Sequence, residues 1–180
     1  MRLESERLLL RKYEMSDRED AYQVISKREI SDSMITIPHP YPKELVESWL
    51  IYLQSSFEGG TAYEFAVTTK TAESLYIGNC GLVTVRDEHR HAELGYLIDP
   101  NYWNQGYATE ACQAVLKFAF YELQLNRVYA RVMKHNYSSC KVLEKLGFQL
   151  EGTARQEFIK DGNYVDIVYY ALLAEDYQEK

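Results

Sequence analysis

"GYLIDPNYWNQGYATEA", residues 95–111, decides how this chain is built, because it carries a strand end into a helix start through a proline, two aromatics and a lone glycine. On the residues alone Gly106 admits two roles. It relieves crowding at a strand-to-helix corner, or it lets a ligand's phosphates approach the backbone. The first turn of a helix has N–H groups without intrahelical partners, and the helix dipole adds positive character there. Gly106, Ala108 and Thr109 keep that turn small enough for a pyrophosphate to reach the donors. No GxxxxGK(S/T) is present and no GxGxxG opens the helix, so neither ATP hydrolysis nor nicotinamide binding is favoured.

Upstream, "RLLLRKY" (7–13) reads as a first strand. "MSDREDAYQVI" (15–25) starts a helix, with Ser16 and Glu19 spaced as a capping box and Ala21, Val24 and Ile25 on its apolar face. A proline-bearing loop, "TIPHPYP", separates this from a second helix beginning near Pro42. Val46, Leu50, Leu53 and Phe57 form its stripe, and Gly59 and Gly60 close it. The period then changes. "YEFAVTT", "LYIGNCGLVTVR" and "HAELGYLI" predict three consecutive strands, with Gly78 and Gly81 marking bends or close approaches.

Downstream, Ala111, Val115, Phe118 and Ala119 define a buried helical stripe that runs towards Asn126. "RVYARVM" predicts a strand and "NYSSCKVLEKLGF" a short helix between Asn136 and Gly147. "FQLEGTARQEFI" and "YVDIVYYALL" predict a closing hairpin turned at "KDGN". The pattern βααβββαβαββ is α+β, a mixed sheet with helices packed against it. At 180 residues, with no linker or repeat, one domain over 1–180 is expected.

The formal net charge of −7 argues against a nucleic-acid binder, which needs a basic stripe, and suits either cationic partners or simple solubility. No apolar run reaches bilayer length and the N-terminus lacks signal-peptide features, so a cytoplasmic location without membrane contact is expected. Cys80, Cys112 and Cys140 are odd in number and unpaired in spacing; they suggest neither a disulfide framework nor a metal site. Sixteen tyrosines and two tryptophans make a homodimer plausible.

The opening stretch resembles the acyl-CoA motif of the GNAT superfamily of N-acetyltransferases, and within it the RimJ/RimL-like branch that acetylates ribosomal-protein N-termini. That branch carries a strand ending in GY, then a P-x-Y-W piece, then GQGYATEA or GKGYATEA. Other segments resemble it in order: "SERLLLRKYEMSD", "YIGNCGL", "ELQLNRVYARVMKHNYSSCKVLEKLGFQLEG" and "DGNYVDIVYYALL", spanning about residues 3–173. One position departs. Where the superfamily has Arg or Gln, three residues before the glycine, this chain has Trp103, which is expected to change packing under the loop.

The resemblance implies an acetyl-CoA-dependent N-acetyltransferase with the GNAT fold, a mostly antiparallel mixed sheet flanked by helices. It implies a pyrophosphate held by Gln105, Gly106, Tyr107, Ala108 and Thr109, and a pantetheine arm paired like an added strand with Tyr96, Leu97 and Ile98. Asn136 would touch the pantetheine or the developing oxyanion, or would only cap its helix. The tyrosine acid of many members is replaced by Leu143, whereas Ser139 matches the branch's serine and could protonate the leaving thiolate. Ser138 and Cys140 point elsewhere on the helix. For a base the candidates are Glu93, on the strand expected to face the thioester, then His135 or a carboxylate acting through water. Glu157 stands one residue from the branch's acidic position, an offset expected to turn it to the other face of its strand.

The acceptor is expected to be a primary amine, in the first place the N-terminal α-amine of a (ribosomal) protein. The rivals are a small-amine acetyltransferase, for polyamines or aminoglycoside-like compounds, and a non-catalytic acyl-CoA-binding module. A peptide needs an open cleft and a polyamine a closed acidic pocket, formed by the first two helices, their loop and the last hairpin.

Overall fold

The computed structural model describes residues 1–178. In chain order its elements are β1 (Arg2–Glu4), β2 (Leu8–Arg11), α1 (Arg18–Ile25), α2 (Arg28–Ser33), α3 (Leu45–Glu58), β3 (Tyr63–Thr69), β4 (Tyr76–Arg86) and β5 (His91–Ile98). These are followed by α4 (Tyr107–Lys117), β6 (Arg127–Met133), α5 (Tyr137–Leu146), β7 (Gln149–Lys160) and β8 (Asn163–Leu173). The strands form one sheet ordered β1-β2-β3-β4-β5-β6-β8-β7, antiparallel at every junction except β5/β6. This is the α+β GNAT fold.

Helices cover both faces. Val115 and Leu116 of α4 and Leu143 and Leu146 of α5 join Leu82, Leu94, Val128 and Ala130 of the sheet in the main core. On the other face α1 and α3 pack Ala21, Val46, Leu50 and Leu53 against Tyr13 and Ala66. Ile30 of α2 and Ile37 meet Leu97. Burying a Val or Leu side chain contributes about 1.5–3 kcal/mol, so the stripe of α3 alone outweighs any cap in fixing its place.

Four local features differ from the sequence expectation, each for a physical reason. The first strand is a hairpin, β1 and β2 turning at Ser5, whose hydroxyl accepts the Leu8 N–H at 3.1 Å. Edge strand β1 buries only Leu3, so its charged neighbours hid it. The chain enters α1 through a 3-10 turn, Met15–Asp17. There Asp17, rather than the Ser16/Glu19 pair, ties the start: its carboxylate accepts Glu14 N–H at 2.8 Å and a two-pronged Arg11 guanidinium at 2.7 and 2.6 Å. A short α2 stands between the first predicted helix and the proline-bearing loop, where no element was expected, held where Ser31 Oγ donates to Ile37 O at 2.8 Å. Finally, α4 gives way at Phe118–Glu122 to one π turn, because the consecutive buried residues Phe118, Ala119 and Phe120 cannot all lie on one 3.6-residue stripe.

The functional consequence of this topology lies at β5/β6. These neighbours pair only where His91, Ala92 and Glu93 meet Arg127, Val128 and Tyr129; beyond Glu93 they part. The remainder of β5 therefore has one edge unpaired by β6.

Candidate active site

A cleft of about 1100 Å³ occupies this parting, and every residue expected for the site lines it except Gln105 and Glu157. Gln105 stands just outside, its side-chain amide donating to Asn101 O at 3.2 Å and its carbonyl accepting from Arg7 at 3.0 Å. Of the three β5 residues, Leu97 differs from Tyr96 and Ile98. Its carbonyl faces β4, where a Cβ on Gly78 would come within 2.2 Å of it. The backbone groups of Tyr96 and Ile98 alternate to the unpaired edge. Trp103 fills the departing position by donating its indole N–H to Ile98 O at 2.6 Å, which fixes the start of the loop to the end of β5.

The loop then turns at Gly106, whose φ of 84° lies in the left-handed region that glycine adopts without steric cost. The first α-helical bond of α4 runs from Glu110 N–H to Gly106 O at 3.0 Å, so Tyr107, Ala108 and Thr109 present N–H groups without intrahelical acceptors. The hinge and the unpaired first-turn N–H groups are the same feature. Sequence reasoning missed the cation beside it. Arg7 lies with its guanidinium 4.2 Å above the Tyr107 ring and 3.4 Å from where a Gly106 Cβ would be. It is held by Glu110, which accepts Arg7 N–H at 2.7 Å, Arg7 Nε at 2.7 Å and Ser5 Oγ at 2.7 Å. Burial pushes the Glu110 carboxyl up, but the bonds from Arg7 and Ser5 outweigh it and hold it below the usual carboxylate range. This β2-to-α4 clasp joins residues over a hundred positions apart, which no local pattern reveals.

Across the cleft, α5 supplies the serine. Asn136 caps it through Oδ1, which accepts Ser139 N–H at 3.2 Å, and its Nδ2 donates to Ser33 O at 3.1 Å, bracing α5 against α2. Both ends of this amide are engaged within the protein, as the cap reading anticipates. Ser139 Oγ is 2.7 Å from Tyr96 Oη. Burial, with the neighbouring Cys112, lifts the Tyr96 hydroxyl well above the ordinary tyrosine range and keeps its proton on. A protonated tyrosine can donate to Ser139 Oγ, leaving the serine's own proton free to be given away. The Tyr96 side chain was a second omission, since only its backbone was expected to matter.

The carboxylates are placed less as expected. Glu93 lines the cleft, but Arg131 Nε and Nη2 donate to its two oxygens at 2.9 and 3.1 Å. A carboxylate held two-pronged by a guanidinium is a charge partner first, so Glu93 does not have the free oxygens its ranking as base assumed. Glu157 also differs. The β7/β8 register breaks between Ala154 and Phe158, Gln156 takes φ 54°, and the irregularity brings Glu157 back to the Arg131 face, where it accepts Tyr169 O–H at 2.6 Å. His135 lines the cleft in an exposed position. The carboxylate not anticipated is Glu64 of β3. It lines the cleft and accepts a hydrogen bond from Asn79 Nδ2 at 2.7 Å. Burial raises it above the usual range, with Asn79 acting in the opposite sense. Its only sequence signal was a charged residue alternating with Ala66 on one face of a strand.

Ile30, Met34, Ile37, Tyr41, Trp49 and Leu97 give the cleft an apolar and aromatic stretch. No helix among the described residues is long and apolar enough to cross a membrane.

Comparison with known proteins agrees with this geometry. The chain matches the acetyltransferase (GNAT) domain family over residues 7–149. It is 33% identical over 175 residues to the uncharacterized N-acetyltransferase p20 of Bacillus licheniformis, covering 97% of each chain. RimL, a ribosomal alpha-N-protein acetyltransferase solved in complex with coenzyme A, superposes with a TM-score of 0.88 at 19% identity, over 96% of this chain and 98% of that one. The spermidine N-acetyltransferase of Vibrio cholerae, solved with CoA and spermine, does so with a TM-score of 0.83 at 25% identity, over 96% and 99%.

Proposed function

The chain belongs to the GNAT acetyltransferases, and from that premise we propose that it is a single acetyltransferase domain that modifies the N-terminal α-amine of a protein, a ribosomal protein being the class the RimJ/RimL-like resemblance implies. The fold is shared with both a ribosomal and a spermidine acetyltransferase, so it does not choose between acceptors. The lining of the cleft supports a chain end as acceptor. The cleft is an open trough with an apolar, aromatic acceptor wall, suited to an extended chain end whose first side chain is apolar. A polyamine offers several ammonium groups and calls for several unpaired carboxylates. Of the four carboxylates that line the cleft, Glu93 is taken by Arg131 and Asp32 is paired with Arg28 at 2.9 Å, which leaves Glu29 and Glu64 rather than an acidic cluster.

Acetyl-CoA supplies the activated acetyl group as a thioester. This chain's residues fit it: the first-turn N–H groups from Tyr107 to Thr109, with Arg7 nearby, suit a pyrophosphate, and the edge at the Tyr96 backbone and the Ile98 N–H, the Ile98 carbonyl being held by Trp103, suits amide pairing. Ser139, kept in place by its Asn136 cap and by Tyr96, is positioned to give a proton to a leaving sulfur.

The test is turnover with acetyl-CoA on a panel of N-terminal peptides and on spermidine and spermine, read by thiol release and by mass. Peptides bearing an apolar first residue should be acetylated on the α-amine. Turnover of polyamines alone would reject this acceptor. Binding of acetyl-CoA with no turnover on the panel would instead favour the binding module.

A further inference from the structure

Glu64 and two glycines make a row across the sheet. The register places Glu64 of β3 opposite Gly81 of β4, and Gly81 opposite Gly95 of β5. A Cβ on Gly81 would stand 2.4 Å from the Glu64 Cα and 3.0 Å from its Cγ, so only glycine allows β3 and the Glu64 stem to lie this close. At Gly95 the situation is reversed: a Cβ there would meet nothing within 4 Å. Strands lie about 4.8 Å apart. A carboxylate that reaches over Gly81 therefore stands beside the open space above Gly95, next to Tyr96 and at the parting of β5 and β6.

A polarised chain of hydrogen bonds aims this carboxylate. Tyr13 Oη donates to Asn79 Oδ1 at 3.2 Å, and Asn79 Nδ2 donates to Glu64 Oε2 at 2.7 Å. With the Tyr13 proton so used, the proton in the 2.9 Å Tyr13–Tyr76 contact belongs to Tyr76. Among the described residues no other donor reaches Glu64, so one oxygen is left for a ligand's N–H. On its far side Glu64 also lines a recess of about 190 Å³ with Lys12, Gln54 and Glu58, a second route to solvent.

Resting on the acetyl-transfer reading, we propose that Glu64 is the catalytic base: it receives the acceptor's ammonium across the Gly81–Gly95 row and takes one proton from it, with Asn79, Tyr13 and Tyr76 as positioning residues. The balance is complete. Of the three ammonium protons the amide keeps one, Glu64 accepts one and returns it to solvent, and the last goes from the attacking nitrogen to Ser139, replacing the proton that Ser139 gives to the departing thiol. The C–N bond forms as the C–S bond breaks. Other titratable groups around Glu64 are accounted for. Burial keeps Tyr13 and Tyr76 protonated, Lys12 lies over the Phe57 ring, Glu58 borders the recess, and Arg131 holds Glu93.

Steady-state kinetics of Glu64→Gln and Gly95→Ala test this, using any amine the wild type acetylates, peptide or polyamine. For Glu64→Gln, kcat should fall about 100-fold or more, and the acid limb of the wild-type kcat/KM profile, lying above the usual carboxylate range, should disappear. The Kd for acetyl-CoA should stay unchanged. The variant should fold: an ionised carboxylate with a raised folded-state pKa opposes folding above its unfolded value, so its neutral isostere should keep or raise Tm at pH 7. Gly95→Ala should raise KM for the amine about tenfold by filling the open space, with acetyl-CoA affinity unchanged. A Glu64→Gln kcat within threefold of wild type, or an acid limb that persists in it, overturns the base assignment. An unchanged amine KM in Gly95→Ala overturns the path. Turnover of polyamines and of no peptide overturns the acceptor class and leaves the Glu64 result standing.

Discussion

Replacing Gly106 by valine tests whether the corner and the cofactor site are one object. Gly106 has φ 84°, a region in which a β-branched residue is a steric outlier, and its Cβ would sit 3.4 Å from Arg7 Nη2. Forcing valine there costs about 1–2 kcal/mol if the corner is kept. In a chain of this size that lowers Tm by about 2–8 °C. If the corner relaxes instead, the first-turn N–H groups of Tyr107 to Thr109 lose their aim. A hydrogen bond to a charged group contributes about 1.5–3 kcal/mol, so misaiming two costs about 3–6 kcal/mol. That is roughly a 10²- to 10⁴-fold rise in Kd for coenzyme A. Calorimetric titration with coenzyme A reads the loss, and pantetheine, which lacks the pyrophosphate, serves as the control whose affinity should change little. If the corner is kept, the valine side chain stands beside Arg7 where the pyrophosphate must reach the backbone, so in either case a Kd for coenzyme A within about threefold of wild type refutes the placement of the pyrophosphate on this loop.

Ser139→Ala should lower kcat by about 10²-fold with acetyl-CoA affinity retained, and Tyr96→Phe should lower it less, since the serine keeps its own proton; a full turnover number in Ser139→Ala removes the acid assignment. Glu110→Gln should destabilise the protein at pH 7. Because the folded Glu110 carboxyl is held below its ordinary value, its contribution is present above the unfolded pKa of about 4.3 and is lost as pH falls through the lowered folded value. The Tm gap between wild type and Glu110→Gln should therefore close in acid, and a gap that stays constant down to about pH 3 would rule out the Arg7–Glu110 clasp as its source.

What was legible in the sequence was mostly local. The meander, the Gly59, Gly60 and Gly147 helix ends and the Asn136 cap all rest on neighbours within a few residues, and the structure has them. The α3 stripe of Val46, Leu50, Leu53 and Phe57 is buried as its spacing demands. Where the reading went astray, a distant partner had overridden a local pattern. Ser16 and Glu19 fit a capping box, but Arg11 and the Glu14 backbone make Asp17 the anchor. Glu157 lay one residue off by counting, and a positive φ at Gln156 absorbed the offset. Glu93 looked available until Arg131, on a strand adjacent only in three dimensions, claimed both of its oxygens.

The same division explains why the two halves of the cleft differ in legibility. A cofactor held by backbone N–H groups needs a glycine in a left-handed conformation followed by small residues at a helix start, and this requirement is written in consecutive letters, Gly106 to Thr109. An acceptor amine needs a carboxylate with an unused oxygen beside open space, and here that arrangement is composed by strand register. Glu64, Gly81 and Gly95 have no sequence spacing in common with any motif, yet the antiparallel pairing of β3, β4 and β5 brings them into one row. A one-residue slip of β3 against β4 would send Glu64 to the α4 face, in among Leu82 and Phe118. The burial of Phe65 and Val67 forbids that slip, because it would take both out of the main core. The core that fixes the register of β3 thus also fixes which way its carboxylate points, so the hydrophobic pattern of "YEFAVTT" sets the direction of the proposed base as firmly as the glycine loop sets that of the first-turn N–H groups proposed to hold the cofactor.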